Sequence, residues 1–408
     1  MKNIASHMLA RTCATLGLII SLSAPAFAID QVTTRTLDEL KQEIIDRAGR
    51  TPQRSPAVKV DVTDIREATA AINTMDRDDW ARGFMIPAER HFEAGRKAES
   101  EGKIEAARES YLAAYRLFKI AHYPTNNSAQ KQKAYERGLD AFLAYGKFLT
   151  PKLEVVRIPF EGKEIVGYLR LPKTDGKKAP LVYFATALDS RKEEWAERNE
   201  DLLDEGVGIF VTDMPGTGQA PIKVDVDSER MFSAALDYLI KRPEIDAQRL
   251  AFYGGSWSGY WAVKMSVVER ARLRAVVAQG LPAHFYFQPE WQTTALKTPE
   301  YLMDLLPARS MIYGVEGLDA FLAYGPKLSL KTLGILDKPS TQLLLVNGTK
   351  DTQVPIADLH LVAQVLPGAP KEAWINPDGR HMGADNKIGS EEIKAKIVTP
   401  WLIKKLKE

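Results

Sequence analysis

The hydrophobic pattern of the chain changes character once, near Pro151. From about Leu37 to Leu149 apolar residues recur at helical spacing and strand signals are scarce. Glu89–Glu101 and Lys103–Ile120 read as two helices joined at Gly102, with Ala106, Ala107, Tyr111, Ala114, Tyr115 and Phe118 forming one buried stripe. A third helix is predicted over Ala129–Leu149. After Pro151, Leu153–Phe160 and Glu164–Leu171 alternate as strands about a Glu161-Gly162-Lys163 hairpin turn. Short β-rich runs follow at Leu181–Ala185, Val207–Thr212, Leu250–Tyr253, Ala275–Gln279, Gln342–Val346 and Ala373–Ile375. Helical stretches at Lys192–Glu205, Ser228–Ile240, Tyr260–Glu269, Ala357–Val365 and Glu391–Leu406 lie between most of them or close the chain. An antiparallel start followed by strand–helix alternation predicts an α/β fold: a mostly parallel central sheet with helices on both faces. Pro282–Lys338 is too long for an ordinary connection and rich in aromatics, so it reads as a cap insertion at about 282–338.

The first residues follow a different logic. Lys2 and Arg11 give a basic start, Cys13–Ala24 an apolar stretch, and Ala26-Phe27-Ala28 a small-x-small site, which together predict a signal peptide over 1–28 cleaved after Ala28. The expected location is the periplasm or the medium. Ala10-Arg11-Thr12 before Cys13 does not resemble a lipid attachment site, and no later run reaches the roughly 20 apolar residues of a membrane span. Three segments are therefore expected: 1–28, a helical N-terminal cap module over 29–150, and a catalytic domain over 151–408. Cys13 is the only cysteine, so the mature chain has no disulfide, thiol nucleophile or cysteine metal site. The formal charge of +2 includes Lys2 and Arg11, leaving +2 − 2 = 0 after cleavage, without the basic surplus of a nucleic-acid binder. Oligomeric state stays open, a homodimer included. One nonapeptide, Gly-Leu-Asp-Ala-Phe-Leu-Ala-Tyr-Gly, occurs at 138–146 and again at 317–325, and two distant copies do not make a repeat fold.

Candidate chemistry centres on Gly254-Gly255-Ser256-Trp257-Ser258-Gly259. An apolar strand running into tiny residues and then a helix has the form of a nucleophile elbow, where the positions two before and two after the serine are crowded. Placing the nucleophile at Ser256 puts Gly254 and Ser258 there, whereas Ser258 as nucleophile would put Tyr260 in a position too tight for it. Ser256 is therefore the candidate nucleophile, with a plain Gly/Ser turn as the bland alternative. A serine needs a base, and the base needs an acid that fixes its tautomer. Of the five mature histidines, His91 and His122 fall in the helical segment, His284 in the insertion and His360 within a helix. His381 lies in a polar loop after the last strand, where a base would be presented. Asp351, on the loop after the preceding strand, supplies the acid, while neighbouring Asp378 reads as a solvated turn residue. Backbone N–H groups of Trp257 and Leu188 are the candidate oxyanion donors. Asp213-Met-Pro-Gly-Thr-Gly218 superficially resembles a phosphate loop but lacks the following Lys-Ser/Thr pair, so it reads as a tight loop beside the site. His381 has no neighbouring ligand set at a metal spacing, and neither a metal nor an organic cofactor is implied.

Taken in order, Leu188-Asp189-Ser190 with Lys192-Glu193-Glu194, Asp213 to Gly218, the elbow running into Tyr260-Trp261-Ala262, Asp351 before Val354-Pro355, and His381 resemble the FrsA-like, dihydroxypseudooxynicotine hydrolase-like branch of the α/β-hydrolases. The chain departs from that pattern at Thr186-Ala187, where a Gly-Gly pair is usual, and at Ser258 in place of glycine. The resemblance implies an α/β-hydrolase fold and a serine hydrolase working through an acyl-enzyme on a small molecule, with a carboxylic ester as the first expectation. Carbon–carbon hydrolysis of a diketone, a prolyl-oligopeptidase-like peptidase and a catalytically silent binding module remain alternatives. His284, Phe285, Tyr286, Phe287 and Trp291 either line an apolar or aromatic substrate pocket or form the core of the cap.

Overall fold

The computed structural model describes residues 35–48, 56–173 and 175–408, so the predicted signal peptide lies outside the described residues. Among the described residues five helices come first: α1 (Leu37–Ala48), α2 (Val62–Ala70), α3 (Arg77–Ser100), α4 (Ile104–Ala121) and α5 (Ala129–Gly146). Asp61 and Asp76 cap α2 and α3 by accepting from backbone N–H groups of the first turn. Helix α3 begins well before the predicted Glu89 and runs through Pro87. Positive φ at Gly102 lets the chain turn between α3 and α4, and α4 buries Ala107, Tyr111, Ala114, Tyr115 and Phe118. Ala106 is exposed, contrary to the predicted stripe, because consecutive helical positions point about 100° apart and Ala107 already faces the core.

Eight strands among the described residues form one sheet in the order β1-β2-β4-β3-β5-β6-β7-β8. They are β1 (Glu154–Phe160), β2 (Lys163–Arg170), β3 (Ala179–Ala185), β4 (Gly208–Thr212), β5 (Ile245–Gly255), β6 (Leu273–Gln279), β7 (Gln342–Gly348) and β8 (Lys371–Asn376). Pairs β1–β2 and β2–β4 are antiparallel and the rest parallel. The β1–β2 hairpin turns at Glu161 and Gly162, both at positive φ, the geometry a tight two-residue turn requires. β3, β4 and most of β5 and β6 are buried along their length, as expected of strands covered on both faces.

The first crossovers carry α6 (Lys192–Glu197), α7 (Glu200–Asp204), α8 (Arg230–Leu239) and α9 (Gly259–Val268). The helix expected over Lys192–Glu205 is broken into α6 and α7 at Asn199, whose φ of 127° no helix accommodates. Between β6 and β7 the insertion holds α10 (Pro289–Ala295), α11 (Leu305–Tyr313) and α12 (Leu318–Tyr324). α13 (Ile356–Val365) joins β7 to β8. The final segment is α14 (Ser390–Ile393), a π-helical turn over Lys394–Val398, and α15 (Thr399–Lys407), rather than one continuous helix.

Two buried carboxylates fix the insertion. Asp358 in the first turn of α13 accepts four backbone N–H groups, from Ala283 and Tyr286 on Oδ2 and from His284 and Phe285 on Oδ1, at 2.7–3.0 Å. Burial pushes this carboxyl up while the four donors pull it down. Asp304, at φ 58° ahead of α11, accepts from Arg77 Nε at 2.7 Å, Lys131 Nζ at 2.9 Å and Asn127 Nδ2 at 3.4 Å. Arg77 and Lys131 belong to α3 and α5, and Tyr123 stacks on Tyr301, so the helical module and the insertion meet. The module also packs on the sheet side through Phe142 against Tyr168 and through Lys119–Glu194 at 2.5 Å. The repeated nonapeptide forms the end of α5 and the whole of α12, and both copies bury their phenylalanine, Phe142 and Phe321.

Candidate active site

β5 lies mid-sheet, and its last residue Gly255 hands the chain to a single 3₁₀ turn, Ser256–Ser258, before α9. Ser256 has φ 54°, a left-handed conformation that costs a non-glycine residue roughly 1 kcal/mol or more. The turn is tight enough that a Cβ on Gly254 would fall 1.9 Å from the Ser258 carbonyl oxygen. Ser258 fits because its own hydroxyl donates to the Thr186 carbonyl, tying the elbow to the loop after β3.

The Ser256 Oγ–H donates to His381 Nε2 at 2.7 Å, and His381 Nδ1–H donates to Asp351 Oδ2 at 2.8 Å. All three are buried, with Ser256 and His381 each retaining 8% exposure. The other carboxylate oxygen, Oδ1, accepts backbone N–H groups of Gln353 at 2.8 Å and Val354 at 3.0 Å, which leaves Oδ2 to the imidazole. The loops bearing acid and histidine are pressed together: Lys350 N–H donates to Gly379 O at 2.8 Å, and a Cβ on Gly348 would lie 2.1 Å from that same oxygen. Gln279 completes the support by donating to Met382 O at 3.0 Å while accepting from Tyr253 OH at 2.7 Å. Neither Tyr253 nor Gln279 is distinguishable in the sequence from strand residues.

Leu188 sits in the β3–α6 loop and Trp257 beside the serine, both buried. Among the described residues neither backbone N–H has an acceptor, which suits groups awaiting an incoming oxygen. Beneath this loop Lys192 is fully buried against Asp213 at 3.0 Å and Glu193 at 2.7 Å. The two carboxylates push the lysine up against the effect of burial, and burial pushes Glu193 up. Asp213 also accepts from Gln219 N–H at 3.0 Å and fills the centre of the Asp213–Gly218 loop, so an internal carboxylate stands where a phosphate loop would hold its anion. Asp378 is exposed and pairs with Lys350 at 2.7 Å.

The insertion residues divide. Tyr286 and Phe287 are buried, and Phe287 packs edge-on to Trp257 with ring centroids 6.0 Å apart. Trp291 Nε1 donates to Gln353 O at 3.1 Å, and His284 Nδ1 contacts Ser329 Oγ at 2.7 Å, with burial holding the imidazole down. Phe285 points to solvent at 41% exposure. A cavity of about 540 Å³ opens nearby between Asn126, Thr217, Lys223, Tyr313 and Tyr324, and none of Ser256, Asp351 and His381 lines it. Its wall residue Tyr313 packs on Trp257 at 6.3 Å. Of the other histidines, His91 contacts Asp64 at 2.9 Å, His122 is buried and His360 is exposed. Among the described residues no cluster of His, Cys, Asp and Glu could hold a metal ion, and no helix is long and apolar enough to cross a membrane.

A protein family described as Esterase FrsA-like matches residues 78–372. Esterase FrsA of Vibrio vulnificus strain YJ016 is 27% identical over 277 residues, 65% of this chain and 65% of that protein. The α/β hydrolase ucsC of Acremonium sp. is 28% identical over 256 residues, covering 55% of this chain and 51% of its own. The chain thus spans about two thirds or less of the length of these curated relatives. Among solved structures, a 2,6-dihydroxy-pseudo-oxynicotine hydrolase aligns with a TM-score of 0.71 at 21% identity, over 85% of this chain and 93% of its own. AbyA5 aligns with a TM-score of 0.67 at 20% identity, over 91% and 95%. Both likenesses establish the fold.

Proposed function

The chain belongs to the FrsA-like esterase family of α/β-hydrolases, and from that premise we propose that it is a serine hydrolase cleaving carboxylic esters of small, apolar or aromatic molecules. The observation that carries the reading is the unbroken relay from Ser256 Oγ through His381 to Asp351, at 2.7 and 2.8 Å, anchored on a left-handed Ser256. In this reading His381 Nε2 takes the Ser256 proton as Oγ attacks the ester carbonyl, and Asp351 holds the Nδ1–H tautomer and balances the imidazolium. The backbone N–H groups of Trp257 and Leu188 receive the oxyanion. His381 then returns the proton to the leaving alcohol, and water, deprotonated by the same imidazole, releases the acid from the acyl-enzyme. Export to the periplasm or medium is part of the proposal, supported by the pattern of residues 1–28.

Intact-mass analysis after exposure to a fluorophosphonate tests the nucleophile. One adduct is expected on wild type and on Ser258→Ala, and none on Ser256→Ala. An ester, thioester and diketone panel then identifies the scissile bond. Folded wild-type protein that takes no adduct, or Ser256→Ala protein that still does, would refute the assignment and favour a binding module on the same fold.

A further inference from the structure

Gln353 bonds both the Asp351 carboxylate and the insertion. Its backbone N–H donates to Asp351 Oδ1 at 2.8 Å, and its carbonyl accepts from Trp291 Nε1 at 3.1 Å. Its side-chain Oε1 accepts from Arg309 Nη2 at 2.9 Å, while Nε2 donates to Thr298 Oγ1. Trp291, Thr298 and Arg309 all belong to the insertion, and Gln353 is only 2% exposed.

Arg309 is unusual in its own right. It is 3% exposed, yet among the described residues its partners are the neutral amides of Gln353 and Gln292, each at 2.9 Å, and the face of the Tyr286 ring at 5.4 Å. A buried guanidinium without a carboxylate in contact is costly unless a negative charge lies within its field. Burial raises the Tyr286 hydroxyl, and Arg309 and Asp351 both act on it, in opposite directions, so the two charges share one buried neighbourhood. Around His381 itself, Asp351 is the charged group in contact. Lys350 and Asp378 pair in solvent, and Arg380 bonds exposed Asn386.

From this arrangement we infer that Gln353 is a positioning residue: clamped by Arg309, it transmits the seating of the insertion to the orientation of Asp351, and so to His381. The base is competent when the insertion is docked. The inference rests on the serine hydrolase reading for its consequence and on the hydrogen bonds alone for its geometry.

The test uses the full chain and two readouts. One is the downfield proton resonance of the His381 Nδ1–H···Asp351 bond, which exists whether or not the protein hydrolyses anything. The other is the second-order rate of fluorophosphonate labelling. Gln353→Ala should move the resonance upfield or broaden it and slow labelling roughly ten-fold, since a loosened carboxylate no longer holds the imidazole in line. Gln353→Glu, which keeps an acceptor for Arg309, should retain most of the rate. Arg309→Met should resemble Gln353→Ala, and the double variant should be no slower than either, because the two act as one clamp. Thr352→Ala removes the exposed Thr352–Glu300 contact between the same loop and the insertion and should change neither readout. An unmoved resonance in folded Gln353→Ala, or losses that simply add, would overturn the inference. A wild type that shows the resonance without labelling would instead count against the hydrolase reading, leaving the resonance to decide the clamp.

Discussion

Replacing Asp304 by Asn tests what joins the helical module to the insertion. The amide has the size of the carboxylate and tolerates the left-handed backbone at φ 58°, so the change removes charge and little else. It strips Lys131, whose side chain is 0% exposed, and Arg77, at 10%, of the counter-charge they share. Deleting one partner of a buried ion pair costs about 3–5 kcal/mol. Asp78 remains in the field of Lys131 and favours the lower figure. With an unfolding entropy of about 2.1 cal/mol/K per residue, ~3 kcal/mol lowers Tm by ~4 °C if ~370 residues melt together, and by ~13 °C if ~110 residues of α1–α5 melt alone. Calorimetry therefore reports the penalty and also the cooperativity of the two parts. The pH dependence has a fixed sign. Burial holds the Lys131 ammonium below its ordinary value, so in the folded state the protonated form is the costly one. Without Asp304 it sheds its proton more easily, and the penalty should shrink as pH rises from 7 toward the unfolded lysine value near ~10.4. A Tm within ~1 °C of wild type at pH 7, or a penalty that grows with pH, would refute the buried-pair argument.

Two further predictions follow from single residues. His122 is buried, and burial with Arg191 nearby holds its imidazole well below the ordinary histidine value. Stability it supports at pH 7 is lost as pH falls below ~6.5, at up to ~1.4 kcal/mol per unit, and His122→Phe should flatten that slope in urea titrations at pH 7 and 5. Ser258→Gly fits the elbow sterically but frees the Thr186 carbonyl from its hydroxyl donor. It should cost about 1 kcal/mol in stability and lower kcat on an ester more than it raises KM, because the loop carrying Leu188 loses its tie; unchanged kcat would show that the tie is idle.

The sheet was readable from sequence because its strands are short apolar runs punctuated by glycine and proline, and every predicted run lies within or within two residues of an observed strand. Helices were less readable where the signal lies in the backbone: Asn199 splits α6 from α7, and Pro87 sits inside α3 although proline ordinarily marks a boundary. Ser256, Asp351 and His381 stood out because each follows a strand in an informative order. Gln353, Arg309, Gln279, Asp304 and Asp358 did not, since a lone polar residue looks the same in sequence whether it faces water or closes a buried network. Arg309 and Gln353 are 44 residues apart, and only the fold brings them together.

Asp358 holds residues 283–286 by their backbone amides and by no side chain among them. An anchor of that kind is blind to side-chain identity. His284, Phe285 and Tyr286 can therefore be exchanged, within the room their neighbours leave, while the stem of the insertion stays where it is. The stem is in that sense modular: drift or laboratory selection can rewrite the side chains presented there without first rebuilding the support on which they are displayed.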